Sequence, residues 1–190
     1  MVSRTGVDPG FSAVGADNHQ GGKLAARALV QAGCKRIAYM AGLESNSTQI
    51  EREQGFREGL DELGASLHAR VVGHYTDEGA RHATRVLFSR DRRPDALFAA
   101  NDLMAIAAID TLKSEFRLQV PLDVSVVGFD NIPQASWSSY SLTTVDPCLE
   151  QMVNESVRLV MELGRSPGRI NEQIRLPVSL ITRKSVRLPK

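Results

Sequence analysis

The sequence lacks a surplus of charge of either sign. It contains 23 lysines and arginines against 22 aspartates and glutamates, which leaves a formal net charge of +1. A domain that binds nucleic acid directly usually carries a basic face, so this balance argues against a DNA-binding surface on the chain itself. Only the C-terminal tail is locally basic, and we interpret it as a solvated end. Its cationic residues are Arg183, Lys184, Arg187 and Lys190.

Long apolar runs and export signals are also missing. The longest apolar stretch falls far short of the roughly 20 residues that a membrane-spanning helix needs, so no membrane partner is expected. Residues 1–20 show no basic segment followed by an apolar one, which favours a cytoplasmic protein. The 190 residues are nevertheless 42% hydrophobic, which is enough to build one full-sized core.

Catalytic and metal-binding patterns are scarce as well. Cys34 and Cys148 are far apart and neither belongs to a Cys-x-x-Cys pair, so we expect two free thiols. The four histidines have no partners at ligand spacing, which argues against a metal site. The phosphate-binding and nucleophile motifs, among them Gly-x-Gly-x-x-Gly, Gly-x-Ser-x-Gly and His-Glu-x-x-His, are absent. The residues therefore give no support for an enzyme or for a cofactor.

The sequence does contain a regular alternation of strand and helix patterns. Strands are predicted at 14–16, 36–41, 67–75, 95–100, 124–129 and 174–183, and helices at 22–32, 48–63, 77–88, 102–116 and 149–163. Apolar strands separated by helices are typical of an α/β fold with an open parallel sheet that is covered by helices on both faces.

Two finer predictions concern the ends and faces of these helices. Thr48 and Glu51 are spaced as a capping box at the start of the second helix. The last helix has one apolar stripe at helical spacing, which we expect to face inward. The stripe consists of Val153, Val157, Val160 and Leu163.

Polar side chains follow the predicted strands at the points where the strands end. In open parallel sheets, ligands bind beyond the carboxyl ends of the strands, so these residues are the first candidates for a site. They are Asp17, Asn18, Tyr75, Asn101, Asp102, Asp130 and Asn131, with Arg52 one turn into a helix on the same rim.

Each candidate also has an ordinary structural interpretation. Asp102 precedes an alanine-rich helix and is expected to cap it, which leaves Asn101 either to contact a ligand or to shape the turn. No helical pattern follows Asp130, so its carboxylate needs a donor, which a ligand hydroxyl or Arg52 could supply. Arg52 could equally be a surface arginine, and Tyr75 could belong to the edge of the core.

Six stretches of the chain occur in one order from about Asp17 to Ser185. They are NHQGGKLAARALVQAGCKRIAYMAG, REQGFREGLDELG, PDALFAANDLMAIAAIDTL, VPLDVSVVGFDN, LTTV and LPVSLITRKS. Together they resemble the lactose/galactose-repressor (LacI/GalR) family of transcription regulators. The resemblance implies the two-lobed fold of type I periplasmic sugar-binding proteins, of which this chain holds mostly the C-terminal lobe.

The resemblance also implies where the lobes begin and end. Residues 1–16 correspond to the end of the N-terminal lobe and residues 17–145 to the C-terminal lobe. Residues 146–172 correspond to a helix and turn that return to the N-terminal lobe, and residues 173–190 to a closing strand and tail of the C-terminal lobe. The helix-turn-helix domain through which such regulators bind DNA would be absent from this chain.

The function that the resemblance implies is binding of a small effector, of sugar type, between the lobes. It needs no cofactor and no metal, and it involves no catalysis. The ligand-binding residues that it implies are Arg52, Asp130, Asn101, Tyr75 and Asp17. A homodimer is also implied, with the helix from Asp102 and the segment 132–140, including Trp137, at its interface.

The chain departs from the family pattern at three positions. Pro147 stands where many members carry a glutamine that reaches the ligand, so we do not expect that contact here. Arg117 stands where a glycine usually ends the helix, so the turn after it is expected to differ, whereas Cys34 in place of a common histidine should change nothing. Two alternatives stay open, a stand-alone sugar-binding protein of the transport type and an enzyme on the same layered fold.

Overall fold

Strands and helices alternate through most of the chain, as the apolar periodicity predicts. A computed structural model describes residues 12–165 and 172–188. The strands are β1 (Ala13–Ala16), β2 (Ile37–Ala41), β3 (Leu67–Val72), β4 (Ala96–Ala99), β5 (Ser125–Phe129), β6 (Thr143–Asp146), β7 (Gln173–Leu176) and β8 (Ser179–Ile181). The helices are α1 (Asn18–Gln31), α2 (Ser47–Glu62), α3 (Asp77–Phe88), α4 (Asp102–Ser114) and α5 (Leu149–Arg165), with a 3-10 turn at Pro133–Ser136.

The main sheet has six strands in the order β3-β2-β4-β5-β6-β8. Its first five strands are parallel, and β8 runs antiparallel to β6 at the edge. Every residue of β2, β4 and β5 is buried, as expected for central strands that are covered on both sides. The predicted α/β class with a mainly parallel sheet is confirmed.

Neighbouring residues of β5 show that helices cover both faces of this sheet. The ring of Phe129 lies against Gly21 of α1, whereas Gly128 lies against the carboxylate of Asp102 in α4. Because successive residues of a strand point to opposite faces, α1 and α4 lie on opposite sides of the sheet. α2 packs beside α1 and α3 packs beside α4, so each face carries one pair of helices.

A second, two-stranded sheet corrects the prediction of one closing strand over 174–183. β7 pairs with β1 in parallel, and the separate strand β8 pairs with β6 in the main sheet. Pro177 follows β7 directly, and its missing N–H group interrupts the ladder so that the chain can change sheets. Residues 173–176 therefore do not join the C-terminal-lobe sheet as predicted. The other lobe boundaries stay predictions.

The inward-facing stripe predicted for α5 is also wrong for its described members. Val153, Val157 and Val160 are 52%, 57% and 67% exposed, and the side chain of Leu163 lies outside the described residues. The helix instead buries Met152 and Leu159 against the two-stranded sheet. Among the described residues, the two-stranded sheet covers one flank of α5 and leaves an apolar stripe exposed.

Two local conformations differ from the predictions near the strand and helix ends. β3 ends at Val72 rather than at Tyr75, because His74 and Tyr75 take positive φ angles of 57° and 60°. The predicted capping box of Thr48 and Glu51 is wrong, since Asn46 caps α2 by accepting from the backbone N–H of Thr48. Arg117 has φ 57°, the left-handed conformation that glycine adopts most readily.

Glycines set how closely α1 and α2 approach each other. A Cβ atom at Gly22 would lie 2.3 Å from the carbonyl oxygen of Arg52, and one at Gly55 would lie 1.9 Å from that of His19. Backbone atoms in a packed helix pair cannot swing aside to make room. The close crossing of α1 and α2 therefore depends on glycine at these two positions. The crossing fixes the position of α2, the helix that carries Arg52.

We expect Gly55→Ala to lower the free energy of unfolding by about 3 kcal/mol, because its methyl group would force the two helices apart. Gly164→Ala in α5 is the matched control, since nothing lies within 4 Å of a Cβ atom there. It should leave stability unchanged or raise it slightly. Urea unfolding followed by circular dichroism measures both variants, and equal small changes would contradict the tight crossing.

Candidate functional site

Arg52 and Asp130 meet at the carboxyl ends of the central strands. Arg52 reaches from α2 across the end of the sheet, and its guanidinium carbon lies 3.5 Å from the ring centroid of Phe129. One terminal nitrogen, Nη2, lies 3.5 Å from Oδ1 of Asp130, the residue that follows β5. The two predicted site residues are 78 positions apart in sequence, and the fold brings them into contact.

Arg52 is not the surface arginine that the sequence left open. Its side chain is only 9% exposed. Nε donates to Oδ1 of Asn18 over 2.8 Å, and Nη1 donates to the carbonyl oxygen of Ala100. With these bonds and the Phe129 ring, the guanidinium is held on three sides, and its Nη2 end points towards Asp130.

Asp130 occupies an unusual backbone conformation at the rim. Its φ angle is 113° and that of Asn131 is 50°, a region that L-residues seldom adopt and that concentrates at functional sites. The side chain of Asp130 is 36% exposed. Partial burial raises the pKa of its carboxyl group, while the charge and hydrogen bond of Arg52 oppose that rise. The pair is thus partly desolvated and open to the exterior.

The prediction that Asp102 caps α4 is wrong. Asn101 caps α4, because its Oδ1 accepts from the backbone N–H of Met104 over 3.0 Å. Asp102 is fully buried and accepts from the hydroxyl of Thr144 at 2.6 Å and the backbone N–H of Ile132 at 2.9 Å. Asp102 is instead the first residue of α4, and its carboxylate turns inward and anchors the loop after β5.

Tyr75 stands close to the end of β2. A Cβ atom on Gly42, the residue after that strand, would lie 2.0 Å from the tyrosine Cζ atom, so the ring rests on bare backbone. The residue is partly buried, and burial raises the pKa of its hydroxyl group. The sequence left two interpretations of Tyr75, packing at the edge of the core and contact with a ligand. Both agree with a residue that is partly packed and partly accessible.

Asp17 has a structural role in the described chain. Its Oδ1 accepts from the backbone N–H of Gln20 over 2.9 Å, which caps α1 and explains why this helix begins at Asn18 rather than at Gly22. Its own backbone N–H donates to the carbonyl oxygen of Leu176 at the end of β7. Ligand contact by Asp17, like that by the other predicted residues, stays a prediction.

A depression of about 450 Å³ opens beside Asp130, between the end of β5 and the start of α5. Its wall is braced by Asn131, whose amide donates to Oδ2 of Asp146 and whose Oδ1 accepts from Arg183. A volume of this order is typical of small-molecule sites, which range from about 300 to 1,000 Å³. Of the five predicted ligand-binding residues, Asp130 lines this depression, whereas Arg52, Asn101, Tyr75 and Asp17 do not.

Phe129 is a candidate site residue that the sequence analysis missed. As the last apolar position of a buried strand, it looked like an ordinary core residue. A cation placed over an aromatic face is stabilised by the ring's electron density, so Phe129 contributes directly to the orientation of Arg52. An arginine predicted at the same rim as a strand-ending aromatic is the signal that could have found it.

Two other kinds of site are not found in the part of the chain that the structure describes. No three or more histidine, cysteine, aspartate or glutamate side chains gather there as ligands for a metal ion. Among the same residues, no helix has the length and apolar character needed to cross a bilayer.

Comparison with known proteins points in the same direction as the geometry. The family profile of the periplasmic binding protein-like domain matches residues 7–186. The chain is 37% identical over 167 residues to the HTH-type transcriptional regulator CelR of Thermobifida fusca, covering 87% of this chain and 48% of that protein. It is 30% identical over 173 residues to the HTH-type transcriptional repressor PurR of Histophilus somni, covering 90% of this chain and 52% of that one.

Solved structures give the same fold. A CelR–cellobiose complex superposes with a TM-score of 0.89 at 33% identity, covering 97% of this chain and 57% of that one. A LacI family regulator from Enterococcus faecium with bound ribose superposes with a TM-score of 0.89 at 26% identity, covering 100% of this chain and 70% of that one. This chain spans about half the length of the curated relatives that it matches, and these relatives are regulators rather than enzymes. The chain belongs to the periplasmic binding protein-like domain family, in the form that LacI-type transcription regulators carry.

Proposed function

We propose that this chain is the effector-binding part of a LacI-type transcription regulator and that it binds a sugar or sugar derivative at the rim. The observation that carries the proposal is the contact between Arg52 and Asp130 at the carboxyl ends of the strands. A guanidinium offers a planar pair of donors and a carboxylate a pair of acceptors, which together suit adjacent hydroxyl groups. The ring of Tyr75 would pack on the C–H face of a sugar, and Asn101 and Asp17 complete the proposed set.

The comparisons support the sugar class without identifying the effector. One similar structure holds cellobiose and another holds ribose. We propose that the ligand closes the lobes on each other and that the resulting shift alters how a homodimer presents its DNA-binding domains. DNA contact is assigned to a helix-turn-helix domain outside these residues, and the site of action to the cytoplasm.

Two exposed apolar surfaces support the proposed contacts with an N-terminal lobe and with a second subunit. The open stripe of α5 has the character of a surface that packs against further residues of an N-terminal lobe, because single soluble domains seldom leave such patches open. Trp137 is 55% exposed and stacks on Tyr140, and Leu103 of α4 is 44% exposed. We propose that these three side chains lie in the dimer interface.

The proposed site predicts a specific loss in the variant Asp130→Asn. This change keeps the shape of the side chain but removes the charge that accepts from sugar hydroxyls, so affinity should fall by about tenfold or more. A panel of sugars and purines, including cellobiose and ribose, would be tested by thermal shift and calorimetry. Asp61→Asn, an exposed carboxylate on the same helix as Arg52, is the control and should bind as the unmodified chain does. Undiminished sugar binding in Asp130→Asn would contradict the site.

A further inference from the structure

A continuous series of polar contacts links the rim to the two-stranded sheet. Arg52 Nε donates to Oδ1 of Asn18, whose Nδ2 donates to the carbonyl oxygen of Ala16 over 3.1 Å and to Oε2 of Glu51 over 3.4 Å. The other oxygen of Glu51, Oε1, accepts from Nη2 of Arg175 over 3.1 Å. Arg175 belongs to β7, whereas Glu51 and Arg52 belong to α2.

Asn18 is the centre of this series because its amide has only one orientation that satisfies all its contacts. The side chain is 2% exposed, so each polar atom needs a partner within the protein. Its oxygen must face the donor Nε of Arg52, and its nitrogen must therefore face the acceptors on Ala16 and Glu51. The Asn18 side chain thus transmits the position of Glu51 to Arg52.

Glu51 lies between an amide on α1 and a guanidinium on β7. Its side chain is 19% exposed, and it is placed between the Asn18 amide and the Arg175 guanidinium. β1 and β7 are hydrogen-bonded along four residue pairs, so Arg175 moves with the two-stranded sheet as a unit. Any displacement of this sheet relative to α2 changes the distance from Arg175 to Glu51.

We propose that Asn18, Glu51 and Arg175 are positioning residues for the Arg52 guanidinium, so that the ligand-facing rim of the main sheet is set by the place of β7. The proposal rests on the proposed function only in treating Arg52 as a ligand contact. It explains how a group that contacts no ligand can change ligand affinity, since the effector would bind best when β7 holds Arg52 in place.

The expected effect of each substitution follows from how exposed the replaced side chain is. Arg175 is 52% exposed, and pairs of this kind contribute little to overall stability. Arg175→Met should therefore leave the free energy of unfolding almost unchanged while it loosens Arg52. Asn18→Ala removes a buried bond to a charged group and should act more strongly at the same atom.

The experiment is an NMR measurement of hydrogen exchange at the Nε–H group of Arg52, made without any ligand. We expect Arg175→Met to speed this exchange by about two- to fivefold and Asn18→Ala by about tenfold or more. Arg85→Met is the matched control, because Arg85 is 48% exposed and pairs with Glu115 near the end of α4, on the face of the main sheet opposite to α1 and α2. It should leave the Arg52 signal unchanged.

An unchanged Arg52 exchange rate in Arg175→Met would overturn the proposal. The proposal would also be overturned if Arg175→Met lowered the free energy of unfolding enough to account for the faster exchange, because the whole fold would then open more often. A second measurement separates the proposal from the proposed function. If cellobiose and ribose fail to bind but Arg52 responds to Arg175→Met, the positioning role stands and the sugar assignment falls. If either sugar binds through Arg52 and Arg175→Met leaves the Arg52 exchange rate unchanged, the sugar assignment stands and the positioning role falls.

Discussion

Replacing Arg52 with alanine is expected to abolish the stabilisation of the chain by sugars and to weaken sugar binding by at least about 100-fold. The change removes the donors that face the ligand and leaves Asp130 without its counter-charge. Burial already raises the pKa of Asp130, and the loss of the guanidinium would raise it further. One substitution therefore removes one member of the proposed hydroxyl-binding pair and shifts the pKa of the other upwards.

The same variant carries a cost in stability that has to be separated from the loss of binding. The side-chain oxygen of Asn18 and the carbonyl oxygen of Ala100 would lose their donor, and the Phe129 ring would lose the cation above it. Leaving such buried acceptors unpaired lowers the free energy of unfolding by about 2–3 kcal/mol. Calorimetric titration below the melting transition measures binding independently of this cost.

Two further variants make the result interpretable. Arg52→Lys keeps the charge but loses the planar fork, so it should keep most of the stability and still bind sugar weakly. Arg57→Ala lies on the same helix, where Arg57 is 47% exposed and pairs with Glu53, and it should behave as the unmodified chain. Equal sugar affinity in Arg52→Ala and Arg57→Ala would remove Arg52 from the site.

The second large effect concerns the dependence of stability on pH. Burial raises the pKa of Asp102 to about 7, against the opposing hydrogen bonds from Thr144 and Ile132. An unfolded aspartate titrates near 4, so between about pH 4 and 7 the folded chain retains a proton that the unfolded chain releases. This group therefore lowers the free energy of unfolding as pH rises through that window, by on the order of 4 kcal/mol above pH 7.

Asp102→Asn should remove this dependence. An asparagine amide can donate to the hydroxyl oxygen of Thr144 and accept from the backbone N–H of Ile132, so both contacts can persist. Urea unfolding at pH 5, 6, 7 and 8 would compare the two proteins. The stability of the variant relative to the unmodified chain should increase progressively from pH 5 to pH 7 and level off towards pH 8. A difference that stays constant across these pH values would contradict the proton on Asp102.

Most of the fold could be predicted because burial and periodicity are properties of short segments. β2, β4 and β5 lie within one residue of their predicted limits, since apolar runs between turn residues leave little freedom. The prediction of one closing strand was wrong because strand pairing is not local. β7 and β8 are adjacent in sequence but belong to different sheets. The prediction that the α5 stripe faces inward was wrong because a helical pattern shows which residues are apolar but not whether other residues cover them.

The candidate site could be predicted in position but not in its bonding. The carboxyl ends of parallel strands must share an edge, which is why Arg52 and Asp130 meet across 78 positions of sequence. Whether Asn101 or Asp102 caps α4 could not be predicted from the sequence, because both residue types are good N-caps and tertiary contacts decide between them. Thr144 supplies such a contact from a strand 42 positions away, beyond the reach of any local rule.

The central claim is that a sugar binds at the rim formed by the ends of β2, β4 and β5. Amide hydrogen exchange of the chain, with and without saturating sugars that include cellobiose and ribose, tests it most directly. At least one sugar should slow exchange in the loops that follow these strands and in the first turns of α2. A full panel that leaves these segments unprotected, or that protects only the opposite pole around Arg36 and His68, would contradict it.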